Sequence, residues 1–99
     1  MEDIDCTELK QRMSRSENLN IIDVREIDEY QQLNIGGQNL PLATIPDKLA
    51  ELEKFKDQEL IVHCQTGARS EMAKKYLEQQ GFTKVRNLLG GIVEYFKTE

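Results

Sequence analysis

The stretch Ile61-Val62-His63-Cys64-Gln65-Thr66-Gly67-Ala68-Arg69-Ser70 decides how the rest of the chain is read. Glu59 to His63 is an apolar, β-branched run of the length of a buried strand. Ala68 or Arg69 to Gln80 carries Met72, Ala73, Tyr76 and Leu77 at helical spacing, and Gly81 follows as a left-handed C-terminal residue. Only a tight loop separates strand from helix, and Gly67 lets it curl without a side chain in the way.

Working outward, other strands and helices alternate with this pair. Asn20 to Val24 and Lys84 to Asn87 read as further short strands, and Asn39-Leu40-Pro41 as a short extended segment. Residues 5–15 form a helix with Cys6, Leu9 and Met13 on one face and Asp5 or Thr7 as its cap. Glu26 to Gln32 is a brief helix with acidic residues in its first turn. Pro46 stands where a helix over residues 46–56 begins, with Ile45, Leu49, Leu52 and Phe55 at helical spacing. Gly90-Gly91 turns the chain into a last helix, Ile92 to Lys97. The alternation predicts one α/β domain over residues 1–99, its small, mainly parallel sheet flanked by helices on both faces. In such sheets ligands sit beyond the carboxyl ends of the strands, which is where Cys64 falls.

With 99 residues, 31% of them charged, the chain has the balance of a soluble globule. It has no apolar run of membrane-spanning length, and its acidic N-terminus has no secretory layout, so a cytoplasmic location is expected. The net charge of −5 disfavours nucleic acid as a partner. The charge is uneven: residues 1–59 carry seven basic and fourteen acidic side chains, residues 60–89 five basic and two acidic. A positive field around Cys64 would favour a small anionic substrate and a thiolate, whereas Lys74 and Lys75 read by default as solvated helix residues. Two cysteines and one histidine cannot assemble a metal set, and neither a metal nor an organic cofactor is expected.

The chemistry falls to the loop. The amides of Gln65, Thr66, Gly67 and Ala68, with the N-terminus of the following helix, can converge on one spot as an anion-binding nest. Cys64 at the mouth of that nest would have a lowered pKa. Arg69 closes the loop, either donating to loop carbonyls or neutralising the anion. His63 reads as packing, because adjacent strand residues point to opposite faces. Cys6 reads as core, Asp23 as structural and Ser70 as a cap or packing residue at the helix start.

Cys64-Gln65-Thr66-Gly67-Ala68-Arg69-Ser70 resembles the C-x-x-G-x-R-S active loop of rhodanese domains. Asp23-Val24-Arg25-Glu26 followed by Glu29-Tyr30, and Asn87-Leu88-Leu89-Gly90-Gly91-Ile92, resemble two further segments of that family in the right order. The resemblance implies a rhodanese-like fold and sulfur transfer from a thiosulfate-like or persulfide donor, through a Cys64 persulfide, to a nucleophilic acceptor. It makes Arg25 a supporting residue. Asn34-Ile35-Gly36-Gly37-Gln38-Asn39-Leu40-Pro41-Leu42 departs from the family's usual "GHIPGAxNIP" segment. It is more similar to rhodanese domains appended to adenylyltransferases of the molybdopterin and thiazole pathways, which adds a sulfur-acceptor protein or an adenylyltransferase to the expected partners.

Other functions share parts of this pattern. His63-Cys64…Arg69 echoes the H-C-x5-R signature of cysteine phosphatases, but only four residues separate Cys64 from Arg69 here, a ring better suited to one sulfur than to a tetrahedral oxyanion. A non-catalytic binding module, or a sulfur relay active only with a protein partner, shares the fold.

Overall fold

The computed structural model describes residues 1–97. Four parallel strands, β1 (Ile21–Asp23), β2 (Gln38–Asn39), β3 (Leu60–His63) and β4 (Val85–Asn87), lie in the order β2-β1-β3-β4. The helices are α1 (Cys6–Ser14), α2 (Ile27–Gln32), α3 (Leu49–Leu52), α4 (Ala68–Gln79) and α5 (Gly91–Lys97). No helix is long and apolar enough to cross a membrane among the described residues.

Strand alternation divides the core into two layers. Ile22, Leu60, Val62 and Val85 pack with Leu52, Ala73 and Leu77 beneath α3 and α4, and Cys64 continues that face. Ile61 points the other way and packs with Ile4, Leu9 and Leu88 beneath α1, with Tyr95 of α5 against them. Helices therefore cover both faces, and this is the α/β architecture expected. Strand order reverses between β1 and β3, so the chain leaves those two strands toward opposite edges of the sheet. A crevice opens at such a point. Arg25, just after β1, and Gln65, just beyond β3 and Cys64, both line it.

The segment around Pro46 corrects the expected helix over residues 46–56. A 3-10 helix spans Leu42–Lys48, α3 adds one turn, and a second 3-10 helix spans Glu53–Phe55. Pro46 lies inside the first rather than opening a helix, and its missing N–H cannot serve a regular α ladder. Ile45 and Leu52 still reach the core, so the apolar spacing survived the tighter winding. In α4, Met72 is 62% exposed rather than on the apolar face. Ser70, Ala73 and Leu77 form the buried line, and Met72 sits one step off it. Gly81 takes the left-handed conformation expected after this helix, with φ 95°.

The N-terminal residues add an unforeseen contact: Ile4 bridges in parallel to Leu88. Lys74 fixes this segment, donating to Asp3 Oδ1 at 2.6 Å and the Met1 carbonyl at 2.8 Å, so it is not a solvated lysine. Arg12 and Arg86 both grip Glu59, at 2.6 Å and 2.9 Å, and Arg86 also holds Glu8 at 2.8 Å. The hydrogen bonds from Arg12 hold the Glu59 carboxyl down to about 2, against 4.5 for a free glutamate. A carboxyl depressed on folding stabilises above its unfolded value and loses that contribution as pH falls toward its folded one. Thermal midpoints are expected to drop between pH 4.5 and about 2, and Glu59→Gln should flatten that slope. A parallel pH dependence in parent and variant would contradict this.

Candidate active site

The site is built from the ends of β1 and β3, the loop to α4, and the first turn of α5. Gly67 is the N-cap of α4 and adopts φ 113°, a left-handed conformation open to glycine. The turn it permits brings the first free amides of α4 back over the end of β3. The Gly67 N–H donates to Cys64 Sγ at 3.1 Å, the Ser70 N–H at 3.4 Å and the Ser70 hydroxyl at 3.3 Å. Burial pushes the Cys64 thiol up, but the Ser70 hydroxyl and the amides of Ser70, Gly67 and Thr66 more than offset this, and the net shift is downward.

Several expectations about the loop are corrected. Cys64 lies at the floor of the loop, 1% exposed, and not at its mouth. The ring around sulfur is narrower than expected: the amides of Gln65 and Ala68 do not donate to Sγ, and Ser70 supplies two donors. Arg69 neither returns to loop carbonyls nor caps the sulfur by hydrogen bonding. Its two terminal nitrogens bind the two carboxylate oxygens of Glu29 at 2.7 Å and 3.0 Å, joining α4 to α2. That pair holds Glu29 down to about 2. Within the basic segment Arg69, Lys74 and Arg86 are each matched by a carboxylate. The groups hydrogen-bonded to sulfur are N–H and O–H dipoles.

Arg25 is buried and clamped by Asp23, whose carboxylate accepts from Nε at 3.0 Å, from the second terminal nitrogen at 2.8 Å and from the Arg25 backbone N–H at 2.9 Å. The same terminal nitrogen donates to the Leu33 carbonyl at 2.6 Å. Arg25 and Gln65 then line a cleft of about 340 Å³ with Glu29, Leu33, Ile92 and Phe96. Arg25 thus stands over the same crevice as the loop, on the Asp23 buttress.

His63 lies across from Asp23 in register, its Nε2 3.8 Å from Asp23 Oδ2. Both ring nitrogens are buried without a hydrogen-bond partner, and burial lowers the imidazole pKa. It shares no face with Cys64, in line with its reading as packing. Cys6 is core too: it packs in the α1 layer, and burial raises its thiol pKa. No group of three or more metal-binding side chains occurs among the described residues.

The loop is braced from behind. Ile92 N–H donates to the Cys64 carbonyl at 2.9 Å and Val93 N–H to the Gln65 carbonyl at 3.1 Å. These bonds hold both carbonyls toward α5 and away from the sulfur. Gly91 makes the approach possible, because a Cβ there would lie 2.5 Å from the Gln65 carbonyl oxygen and 2.6 Å from that of Cys64. Gly91→Ala is expected to destabilise the fold by about 1–3 kcal/mol and to raise the reactive pH of Cys64, as followed by thermal melting and alkylation. An unshifted melting curve would show that the loop gives way freely.

Sequence reasoning missed three members of the site: Ser70 as a donor to sulfur, Asn87 behind it, and Glu29 as the partner of Arg69. Asn87 and Glu29 stood inside quoted segments, yet their partners lie 17 and 40 residues away. Ser70 carried a local signal, its place in the first turn of a helix that starts beside the thiol.

A parallel α/β domain with a hydrogen-bonded cysteine at its switch-point crevice is the class that fold and site define. A model of the rhodanese-like domain matches residues 5–98, and the chain belongs to that family. It is 38% identical over 99 residues to a putative sulfur carrier protein of Bacillus subtilis, covering 98% of this chain and 52% of the relative, about half its length. It is 37% identical to a sulfurtransferase of Allochromatium vinosum, covering 94% and 86% of the two chains. The crystal structure of a rhodanese-like domain protein from Staphylococcus aureus superposes with a TM-score of 0.82 at 31% identity, over 96% and 91% of the chains. Sulfur transfer is the activity these relatives support at family level.

Proposed function

We propose that this domain carries sulfane sulfur as a persulfide on Cys64. The supporting observation is the set of three donors within 3.4 Å of Sγ, which favours the sulfur anion. The thiolate attacks the outer sulfur of a donor such as thiosulfate. A new S–S bond forms to Cys64, the donor's own S–S bond breaks, and sulfite leaves with the bonding pair. A nucleophilic acceptor then takes the outer sulfur, and the Cys64 thiolate is released. Arg25, at the cleft wall, supports an anionic donor; no metal or organic cofactor enters the scheme.

The added sulfur stands about 2 Å beyond Sγ, so loading moves the reacting atom outward from the loop floor. The free thiol is buried, so a donor reaches it only when its surroundings shift. The same burial favours a second reading, a relay that a protein partner opens, with an acceptor protein or an adenylyltransferase as that partner. The test is mass spectrometry of the intact chain after exposure to thiosulfate and, separately, to a small persulfide. A cyanide-reversible gain of one sulfur on Cys64 is expected. Loading by the persulfide alone favours the relay, and failure with both donors leaves a binding module.

A further inference from the structure

We infer that Ser70 is a catalytic residue whose single hydroxyl donor serves either Asn87 or Cys64, and that turning this hydrogen bond from the amide oxygen to the sulfur stabilises the thiolate. The hydroxyl oxygen lies 2.6 Å from Asn87 Oδ1, 3.3 Å from Cys64 Sγ and 3.2 Å from the Gly67 carbonyl. One hydroxyl hydrogen cannot serve three acceptors at once. The Asn87 amide is not free to turn, because its Nδ2 donates to the Gly67 carbonyl at 3.2 Å and to Glu71 Oε2 at 3.3 Å. Its Oδ1 is therefore held against the Ser70 hydroxyl.

Two states follow from this arrangement. With the thiol protonated, sulfur is a weak acceptor and the hydroxyl donates to Asn87 over the shorter distance. When the thiol proton leaves to solvent, sulfur becomes an anion, a charge-assisted bond outweighs a neutral one, and the hydroxyl turns to Cys64. The Gly67 and Ser70 amides are fixed donors and do not compete for another acceptor in this way. Ser70 is thus the adjustable part of the cradle, and Asn87 is the positioning residue that sets how much the adjustment costs.

Within the sulfur-transfer reading, the same hydroxyl serves the departing group. When an acceptor removes the outer sulfur, Cys64 leaves as a thiolate, and a less basic leaving thiolate departs faster. Once the persulfide has formed, negative charge has passed to the outer sulfur, so Ser70 acts at loading and at release rather than on the stored intermediate.

The consequence is a pair of opposite shifts. Ser70→Ala removes a donor that the thiolate uses. Asn87→Ala removes the nearest acceptor that rewards the thiol state and leaves the hydroxyl between the Gly67 carbonyl and the sulfur, of which the charged thiolate is the stronger acceptor. The experiment is alkylation of Cys64 by iodoacetamide, resolved by peptide mapping, as a function of pH. Ser70→Ala is expected to raise the inflection by about one pH unit, a tenfold loss of thiolate below it. Asn87→Ala is expected to lower it by several tenths, and the double variant should match Ser70→Ala. An unmoved Ser70→Ala inflection, or upward shifts in both single variants, would overturn the proposal, since a merely loosened loop moves both the same way. Should Ser70→Ala fail to fold, the direction found for Asn87→Ala decides alone. No sulfur donor is involved, so a chain that shows these shifts yet never gains sulfur sinks the transfer reading and leaves this assignment standing. On loaded protein, release of sulfur to cyanide is expected to slow severalfold in Ser70→Ala.

Discussion

Cys64→Ser is expected to abolish the cyanide-reversible gain of sulfur completely, while changing stability by no more than about 1 kcal/mol. The serine oxygen can accept from the same Gly67 and Ser70 donors, so the cradle keeps an occupant. What disappears is the nucleophile: a hydroxyl is far harder to ionise than a thiol and does not form a persulfide. Parent and variant compared by intact mass after donor treatment, with melting curves alongside, separate chemistry from folding. Sulfur retained by the variant would move the reaction to Cys6, which lies in the α1 layer with a raised thiol pKa. Turnover of an aryl phosphate by the parent, lost in Cys64→Ser, would revive the phosphatase alternative, although Arg69 is committed to Glu29.

Asp23→Ala is expected to be the most destabilising single change, at about 3–5 kcal/mol. Asp23 and Arg25 are both buried, and the aspartate is the only carboxylate in contact with that guanidinium among the described residues. Removing the acid leaves a cation under the cleft with only the Leu33 carbonyl to receive it. Small domains are stable by about 5–15 kcal/mol, so much of the margin would go. Urea unfolding measures the loss directly. Replacing both partners by apolar residues, Asp23→Leu with Arg25→Met, should recover much of the stability, because the cost lies in stranding one charge. The double variant would still lack the arginine, and its donor affinity reports what Arg25 contributes to the site. A single variant as stable as the parent would mean that water reaches Arg25.

Legibility in the sequence followed the range of each interaction. The strand-loop-helix stretch at residues 59–80 states its structure locally, through β-branched residues, one glycine and helical spacing, and the parallel order follows from alternation. The position of Cys64 beyond a central strand was visible for the same reason. Proline usually stands at a helix start, but at Pro46 the chain winds as 3-10 helix and the proline sits inside. Nothing local to Arg69 points to Glu29, a partner 40 residues away that the fold brings to it. Of the five basic residues between 60 and 89, Arg69, Lys74 and Arg86 pair with acids from elsewhere in the chain, which a local count does not show. A depth of burial such as that of Cys64 is likewise a property of the assembled fold.

The brace from residues 92 and 93 also bears on synthesis. During translation, β3 and its cysteine emerge about 30 residues ahead of the amides that hold the Cys64 and Gln65 carbonyls. The brace on this loop is therefore complete only when nearly the whole domain has been made. Bracing of the cysteine loop is coupled to completion of the fold.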